Sequence, residues 1–279
     1  MDEIDLQSLS GVAETSLITL YIRALESQRP DALLKDEQAE ALVSQMDQDF
    51  LRNKLARIEE YTRVATIMRS REFDLQARDF LTRHPEAVVV HIGCGLDSRF
   101  DRVDNNTVEW YELDLPEVMA MRRKLIGREG ARHHFLAYSV LDIEWLKEVS
   151  LLHHRPFLFL AEGVLMYLEE TQVKSLVLAL KEHFPGAELV CDAFSPFLVW
   201  ANNLRVTRTK IGTRCRWALK NSKELERWSD GISLLDEFYP FRCPEPRLGR
   251  ALQVRHLSFF TKTMGVFRYR LGDKTKFSV

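Results

Sequence analysis

Apolar residues follow two different rhythms along this chain. Over residues 1–85 they recur at helical spacing and no strand is predicted. The pattern predicts a helix capped by Thr15 or Ser16 that runs through LITLYIRALES and stops before Pro30. A second helix, EQAEALVSQMDQDF, is capped by Asp36, and a third spans 54–83 with a break near Ser70. From residue 87 the rhythm changes to short strand-like segments at 87–92, 108–113, 132–140, 156–161 and 187–193, of which 87–92 is an unbroken apolar run with the look of a strand buried on both faces and 156–161 a second buried strand. Between them lie helical segments: PEVMAMRRKLI, with Pro116 at its first position and Gly127 after its end, then 143–149, and the amphipathic 169–184. Strands alternating with helices in this way predict an α/β fold, a parallel sheet with helices on both faces.

The alternation lapses at about 196–241, an aromatic and basic stretch holding Trp200, Arg205, Arg208, Lys210, Arg214, Arg216 and Trp217. Two readings stand for it: a helical lid over the carboxyl ends of the strands, where open α/β sheets bind ligands, or a surface insertion without substrate contact. After it come a helical stretch, LGRALQVRHLSFFTKTMG, and a last strand, VFRYRL, whose alternating Phe267, Arg268, Tyr269 and Arg270 suit an edge with one solvated face. The organisation expected is a helical cap at 1–85 packed on an α/β core at 86–279.

Chemistry concentrates at the first strand. It ends in Gly93-Cys94-Gly95, and the second strand ends in an acidic pair, Glu112 and Asp114. A strand, a glycine turn and an acid about 20 residues later is the arrangement that binds a nucleotide ribose, the carboxylate accepting from the ribose hydroxyls. A dinucleotide fold places a third glycine three residues after the second; here that residue is Ser98. Asp97 beside the turn would also repel a pyrophosphate. S-adenosyl-L-methionine has no phosphate and carries a cationic sulfonium, so these details favour it over NAD. Arg69 and Arg71 lie just ahead of the first strand and read, on their own, as a solvated helix face.

Composition narrows the partners. The 279 residues are 46% hydrophobic and 29% charged with a net charge of -2, an ordinary globular make-up without the basic footprint of a nucleic-acid binder. No apolar run approaches the length of a membrane span, and the start MDEID lacks the character of a signal peptide. The 4 cysteines have no CxxC spacing and read as free thiols in a reducing cytoplasm. His133-His134 and His153-His154 are adjacent pairs that cannot both point one way, so no metal site is expected.

GCGLDSR, WYELDLPEVMAMRRKLI and LAEGVLMYL, in that order, resemble the GAGLDTR, W-[FY]-E-[VL]-D-L-P-E-V and AEGLLMYL blocks of the leucine carboxyl methyltransferase family. Within it, the likeness is to the bacterial polyketide-type O-methyltransferases, the tetracenomycin methyltransferase-like branch. It extends over about residues 11–195 and includes the opening helices. The resemblance implies a class I, Rossmann-like methyltransferase with a seven-stranded sheet whose last strand runs antiparallel. It implies binding of S-adenosyl-L-methionine, released as S-adenosyl-L-homocysteine, by the following residues. Arg69 matches the arginine that grips the methionine carboxylate; Gly93 and Gly95 match the glycine turn. Asp114 matches the acid of the second strand, with Glu112 as rival, and Glu162 the glutamate after the fourth. One departure stands out: Ser139-Val140 occupies the place of an Asp-Leu pair whose acid accepts from the adenine amino group, and the nearest acid is Asp142.

The expected reaction is methyl transfer to an oxygen of a small molecule, a carboxylate by the family likeness, with a phenolic or other hydroxyl as the alternative. Tyr167, Arg205, Arg208 and Arg216 are the candidate acceptor contacts, with His256 a further polar neighbour; no residue is marked as a catalytic base by spacing. Two other readings remain on the residues: an NAD-dependent oxidoreductase, from the strand-glycine-acid unit alone, and a cofactor-binding protein without transfer activity, from Ser139.

Overall fold

The computed structural model describes residues 12–46, 58–127, 129–152, 154–209, 213–254 and 256–273. Its frame is a seven-stranded sheet. Strand β1 (Val88–Ile92) is buried along its whole length, as its valine run requires. It pairs in parallel with β2 (Glu109–Asp114) on one side. Outside β2 lies β3 (His133–Ala137), and on the other side of β1 lies β4 (Phe157–Ala161), followed by β5 (Ala187–Phe194), all parallel. Strand β6 (Ile232–Phe238) forms the far edge, and β7 (Met264–Leu271) runs antiparallel between β5 and β6. The order β3-β2-β1-β4-β5-β7-β6 reverses its direction of growth between β1 and β4, which opens a crevice at their carboxyl ends.

In chain order the helices are α1 (Val12–Ser27), α2 (Glu37–Ser44), α3 (Glu60–Arg83), α4 (Arg99–Val103), α5 (Pro116–Leu125), α6 (Glu144–Ser150), α7 (Glu170–His183), α8 (Pro196–Thr209) and α9 (Ser258–Thr261). On one sheet face Trp145 and Leu146 of α6 and Val173, Val177 and Leu180 of α7 pack on Val88, Val90, Phe157 and Phe159. On the other, Phe73, Ala77 and Phe80 of α3 pack on Val89, Trp110, Leu158 and Leu160. Each such side chain, fully withdrawn from water, contributes roughly 1.5–3 kcal/mol. By packing, therefore, α3 flanks the sheet, whereas α1 and α2 form a separate cluster with Leu96 after the glycine turn and Met121 of α5.

Several expectations shift. Thr15 and Ser16 lie inside α1 rather than capping it, because the helix starts at Val12. Asp36 does cap α2, its Oδ1 accepting from Ala39 N at 2.9 Å; the predicted continuations at 47–50 and 54–57 lie outside the described residues. Helix α3 runs through Ser70 unbroken. The predicted third strand is shorter, since Tyr138–Val140 already turn towards α6. The stretch at about 196–241 begins with a helix, α8, but also contains β6. That strand is half-exposed and irregular in register between Leu234 and Asp236, so it lacks the apolar run that marks the central strands. Consequently VFRYRL is an interior strand, and Arg268 reaches Asp79 of α3 at 2.6 Å instead of facing water alone.

Candidate active site

The crevice gathers the glycine turn, the ends of β2, β4 and β5, and Arg69 of α3. Gly93 and Gly95 have φ of 65° and 51°, in the left-handed region that a side chain disfavours. A β-carbon on Gly93 would stand 2.2 Å from Val164 Cγ2, and one on Gly95 2.8 Å from the Ser16 hydroxyl. The glycines thus admit close packing of two protein segments, the loop after β4 and helix α1, in addition to shaping the turn.

The two acids of β2 part company. Alternation along a strand sends them to the same face, but Glu112 lies one step deeper. It is fully buried and ion-paired with Arg122 at 2.9 Å, with His133 Nε2 at 3.2 Å and His91 Nδ1 at 3.0 Å from its oxygens. Burial opposes its charge, yet Arg122 and His91 outweigh burial and hold the carboxyl well below its usual range. Glu112 therefore anchors the turn from beneath and is not placed to meet a ribose. Through Arg122 it also reaches the turn itself, since Arg122 Nη1 donates to the carbonyls of Gly95 and Asp97 at 3.0 and 2.7 Å. Asp114 sits at the strand end, its Oδ2 accepting from Gly95 N and its Oδ1 from Leu115 N, both at 2.8 Å. Each oxygen retains a lone pair. Burial pushes the Asp114 carboxyl up, against the pull of those two N–H groups.

Arg69 is held between two carboxylates. Its Nε donates to Glu162 Oε1 at 2.9 Å and its Nη1 to Asp192 Oδ2 at 3.0 Å. Nη2 has no protein partner among the described residues, and it lies 3.7 Å from where a β-carbon on Gly163 would be. Glu162 also accepts from the Ser70 hydroxyl at 2.7 Å and from Arg99. Although burial opposes its charge, Arg99 and Arg69 bring the Glu162 carboxyl down to about 2.

Behind the turn the charges form a buried lattice. Arg99 bonds Asp74 of α3 at 2.7 Å, pairs with Asp97 at 3.1 Å, and places Nη1 3.1 Å from His91 Nε2. Since a guanidinium only donates, His91 Nε2 is the acceptor in that contact. Arg102 joins Asp36, Asp74 and Asp97, while Arg23 of α1 bonds Asp36 at 2.8 Å and the Leu96 carbonyl at 2.7 Å. Asp97 thus forms no acidic rim: it is buried, and despite burial Arg102, Arg99 and Arg23 hold its carboxyl well below the usual range. A phosphate at the turn would therefore not meet an unshielded Asp97 charge, and it is Ser98 in place of a third glycine that still sets this turn apart from a dinucleotide fold.

The sequence reading passed over Arg99, Arg122, His91 and Asp192 as site residues. A signal existed for two of them. A histidine in VVVHI and an aspartate in AELVCDAF are polar groups inside runs that must be buried, and a buried polar group requires a partner.

The remaining candidates are more scattered. After β3, Ser139 N donates to Asp142 Oδ2 at 2.9 Å and Ser139 Oγ accepts from Leu141 N at 3.2 Å, so both side chains are engaged in one tight turn. Tyr167 closes the short helix after β4, and burial pushes its phenol up to about 12, with the Arg205 charge among those opposing. Arg205 bonds Asn202 at 3.2 Å. Arg208 is exposed, Arg216 is 59% exposed and pairs with Glu169 at 2.9 Å, and His256 and Arg71 are exposed. Of these candidates Tyr167 alone is largely withdrawn from water, while Arg205, Arg208 and Arg216 lie at the surface and Arg205 acts on the Tyr167 phenol only as a weak charge. Lys210 lies outside the described residues. Beneath α8, Asn203 exchanges two hydrogen bonds of 2.8 Å with the Cys215 backbone, and the Met166 carbonyl accepts from Arg216 N and Trp217 N.

Comparison with known proteins agrees with this geometry. The family model described as leucine carboxyl methyltransferase matches residues 16–181. The chain is 36% identical, over 85% of its length and 86% of the relative's, to "Tetracenomycin polyketide synthesis O-methyltransferase TcmP" of Streptomyces glaucescens. It is 30% identical, over 83% of each chain, to an S-adenosyl-L-methionine-dependent methyltransferase of Gibberella zeae. A candidate methyltransferase from Thermobifida fusca superposes with a TM-score of 0.58 at 19% identity, covering 90% of this chain and 94% of that one. With the strand order and the family match together, the protein is an S-adenosylmethionine-dependent methyltransferase of class I fold, and it belongs to the leucine carboxyl methyltransferase family.

Proposed function

We propose that this enzyme methylates a carboxylate oxygen of a small acidic molecule. The observation that carries the reading is the Tyr167 phenol beside the end of β4, which burial holds protonated although the Arg69 and, more weakly, Arg205 charges oppose it. Burial keeps the Tyr167 phenol protonated, with a pKa pushed up to about 12, so near neutrality it donates a hydrogen bond and does not remove a proton. Arg205, exposed on α8, contributes a positive charge to its surroundings. A donor and a cation suit an acceptor that arrives already anionic, as a carboxylic acid with a pKa of about 4 does. The relative named for tetracenomycin polyketide synthesis supports an aromatic polyketide-like acid as the acceptor. A hydroxyl acceptor is the second reading, since exchange of a phenolic proton with solvent would also need no base on the protein.

The site fits the cofactor, whose bound form supplies an activated methyl group on a sulfonium. In this reading Arg69 Nη2 takes the methionine carboxylate, Asp114 accepts from the ribose hydroxyls with its remaining lone pairs, and the turn at Gly93 and Gly95 sets the height of the cofactor. Glu162 acts through Arg69. Ser139 and Val140 border the adenine, the Ser139 carbonyl and hydroxyl supplying acceptors where relatives have an acid. Helix α8 and the segment fastened beneath it exclude water and orient the acceptor for in-line transfer. Among the described residues no helix is long and apolar enough to cross a membrane, and we place the reaction in the cytoplasm on a soluble small molecule.

The test is the pH dependence of transfer to candidate acids, followed by treatment of the product with mild alkali. A carboxylate acceptor gives a rate nearly flat from about pH 6 to 8, because it is ionised throughout, and an alkali-labile methyl ester. A rate rising steeply across that range with an alkali-stable ether would mean a hydroxyl acceptor.

A further inference from the structure

Asp192 is a fully buried carboxylate at the carboxyl end of β5 with two partners. Its Oδ2 accepts from Arg69 Nη1 at 3.0 Å and its Oδ1 from Gly163 N at 2.7 Å. Glu162 takes Nε of the same guanidinium, so two acids fix two of its three nitrogens and all of its plane. Both terminal nitrogens pass Gly163, 3.7 and 3.8 Å from where its β-carbon would stand, so the third nitrogen is left beside a residue with no side chain to cover it. A buried acid offset by a single shared cation costs stability relative to an apolar residue, and burial does push the Asp192 carboxyl up. Valine or alanine would suit the strand pattern better at this position. Such a cost at a ligand crevice points to a geometric task.

We propose that Asp192 is a positioning residue for cofactor binding: by holding Arg69 Nη1 and Gly163 N together it keeps the Nη2 edge of Arg69 directed at the cofactor's carboxylate. This rests on the reading that Arg69 grips that carboxylate. The contribution is orientational, because the positive charge of Arg69 persists without Asp192 while its direction does not. Glu162 alone leaves rotation about the Nε contact open.

The experiment compares calorimetric affinities for S-adenosylhomocysteine and its decarboxylated analogue, S-adenosyl-3-thiopropylamine, in the wild type, Asp192→Asn and Arg69→Gln. The wild type should prefer the carboxylate-bearing ligand by about tenfold or more, the worth of a charge-assisted hydrogen bond. Asp192→Asn should lose most of that preference while its affinity for the analogue stays within about twofold, a split that general damage to the site would not produce. An unchanged preference in Asp192→Asn, or equal weakening of both ligands, overturns the proposal. Arg69→Gln separates the two levels of failure. If it abolishes the preference and Asp192→Asn does not, only the role of Asp192 falls; if it leaves the preference intact, the reading of Arg69 falls as well. Should Asp192→Asn not fold, Asp192→Glu asks the same question, since it keeps the ion pair but displaces Arg69 by one methylene. A preference retained in full by that variant counts equally against the proposal.

Discussion

The two sides of the crevice are built on different principles. On the cofactor side every charged group in the lattice is paired, and nearly all are buried: Arg99, Arg102, Arg122 and Arg23 face Asp36, Asp74, Asp97, Glu112 and Glu162. On the acceptor side the arginines are exposed or paired at the surface, and the segment carrying Cys215 is tied down through its backbone, not by charge. A buried charge pair is rigid because breaking it strands a charge in a poor solvent; an exposed arginine can take many positions at little cost. The cofactor is the same for every member of such a family, whereas acceptors differ, and the contrast in construction follows that division of labour.

The contrast can be broken most forcefully at Arg99. Arg99→Met should leave Asp74, Asp97 and Glu162 short of a partner and lower stability by about 3–5 kcal/mol, read as a fall in the urea midpoint. Should the variant unfold like the wild type, the lattice is dispensable and the proposed division fails. Acid probes the same lattice. The Glu162 carboxyl lies at about 2 when folded, below its ordinary value of 4.5, so its contribution is fully present above about pH 4.5 and disappears as pH falls towards 2. Urea midpoints measured between pH 6 and 2 should decline over that lower window, and less so in Glu162→Gln.

Smaller effects sharpen the picture. Asp114→Ala should weaken S-adenosylhomocysteine by roughly 1–3 kcal/mol in a titration, as a hydrogen-bonding carboxylate is lost from the ligand's surroundings. An affinity equal to that of the wild type would remove Asp114 from the ribose. Arg216→Ala lies at the other extreme: its pair with Glu169 is exposed, so stability should change by less than about 1 kcal/mol and the KM for the cofactor not at all. A large loss there would show that the acceptor side is held by charge after all.

How legible each side was follows from the same physics. The valine run of β1, the apolar β4 and β5 and the amphipathic α7 announce themselves because burial on both faces, or along one stripe, leaves a periodic trace. Strand β6 left none, being a half-exposed edge with a register irregularity. Gly93, Gly95 and Asp114 were readable from spacing, but the separate fates of Glu112 and Asp114 depend on which neighbours β3 and α5 bring, His133 and Arg122, far away in the chain. Asp97 was misjudged for that reason: a charge beside a turn looks like a rim until the arginines that bury it are placed. No spacing rule links Arg69 to Asp192, which meet only when α3 crosses the end of β5.

One consequence concerns the grafting of parts between relatives. Ser16 fills the space that a side chain at position 95 would need, and Arg23 spans from α1 to the Leu96 carbonyl and to Asp36. The opening helices and the glycine turn are therefore cut to each other like a key and its ward. A chimaera that takes its first helices from one relative and its turn from another inherits a mismatched pair unless residues 16, 23, 36 and 95–97 travel together, which makes that set, rather than any boundary between helix and strand, the natural unit for recombination.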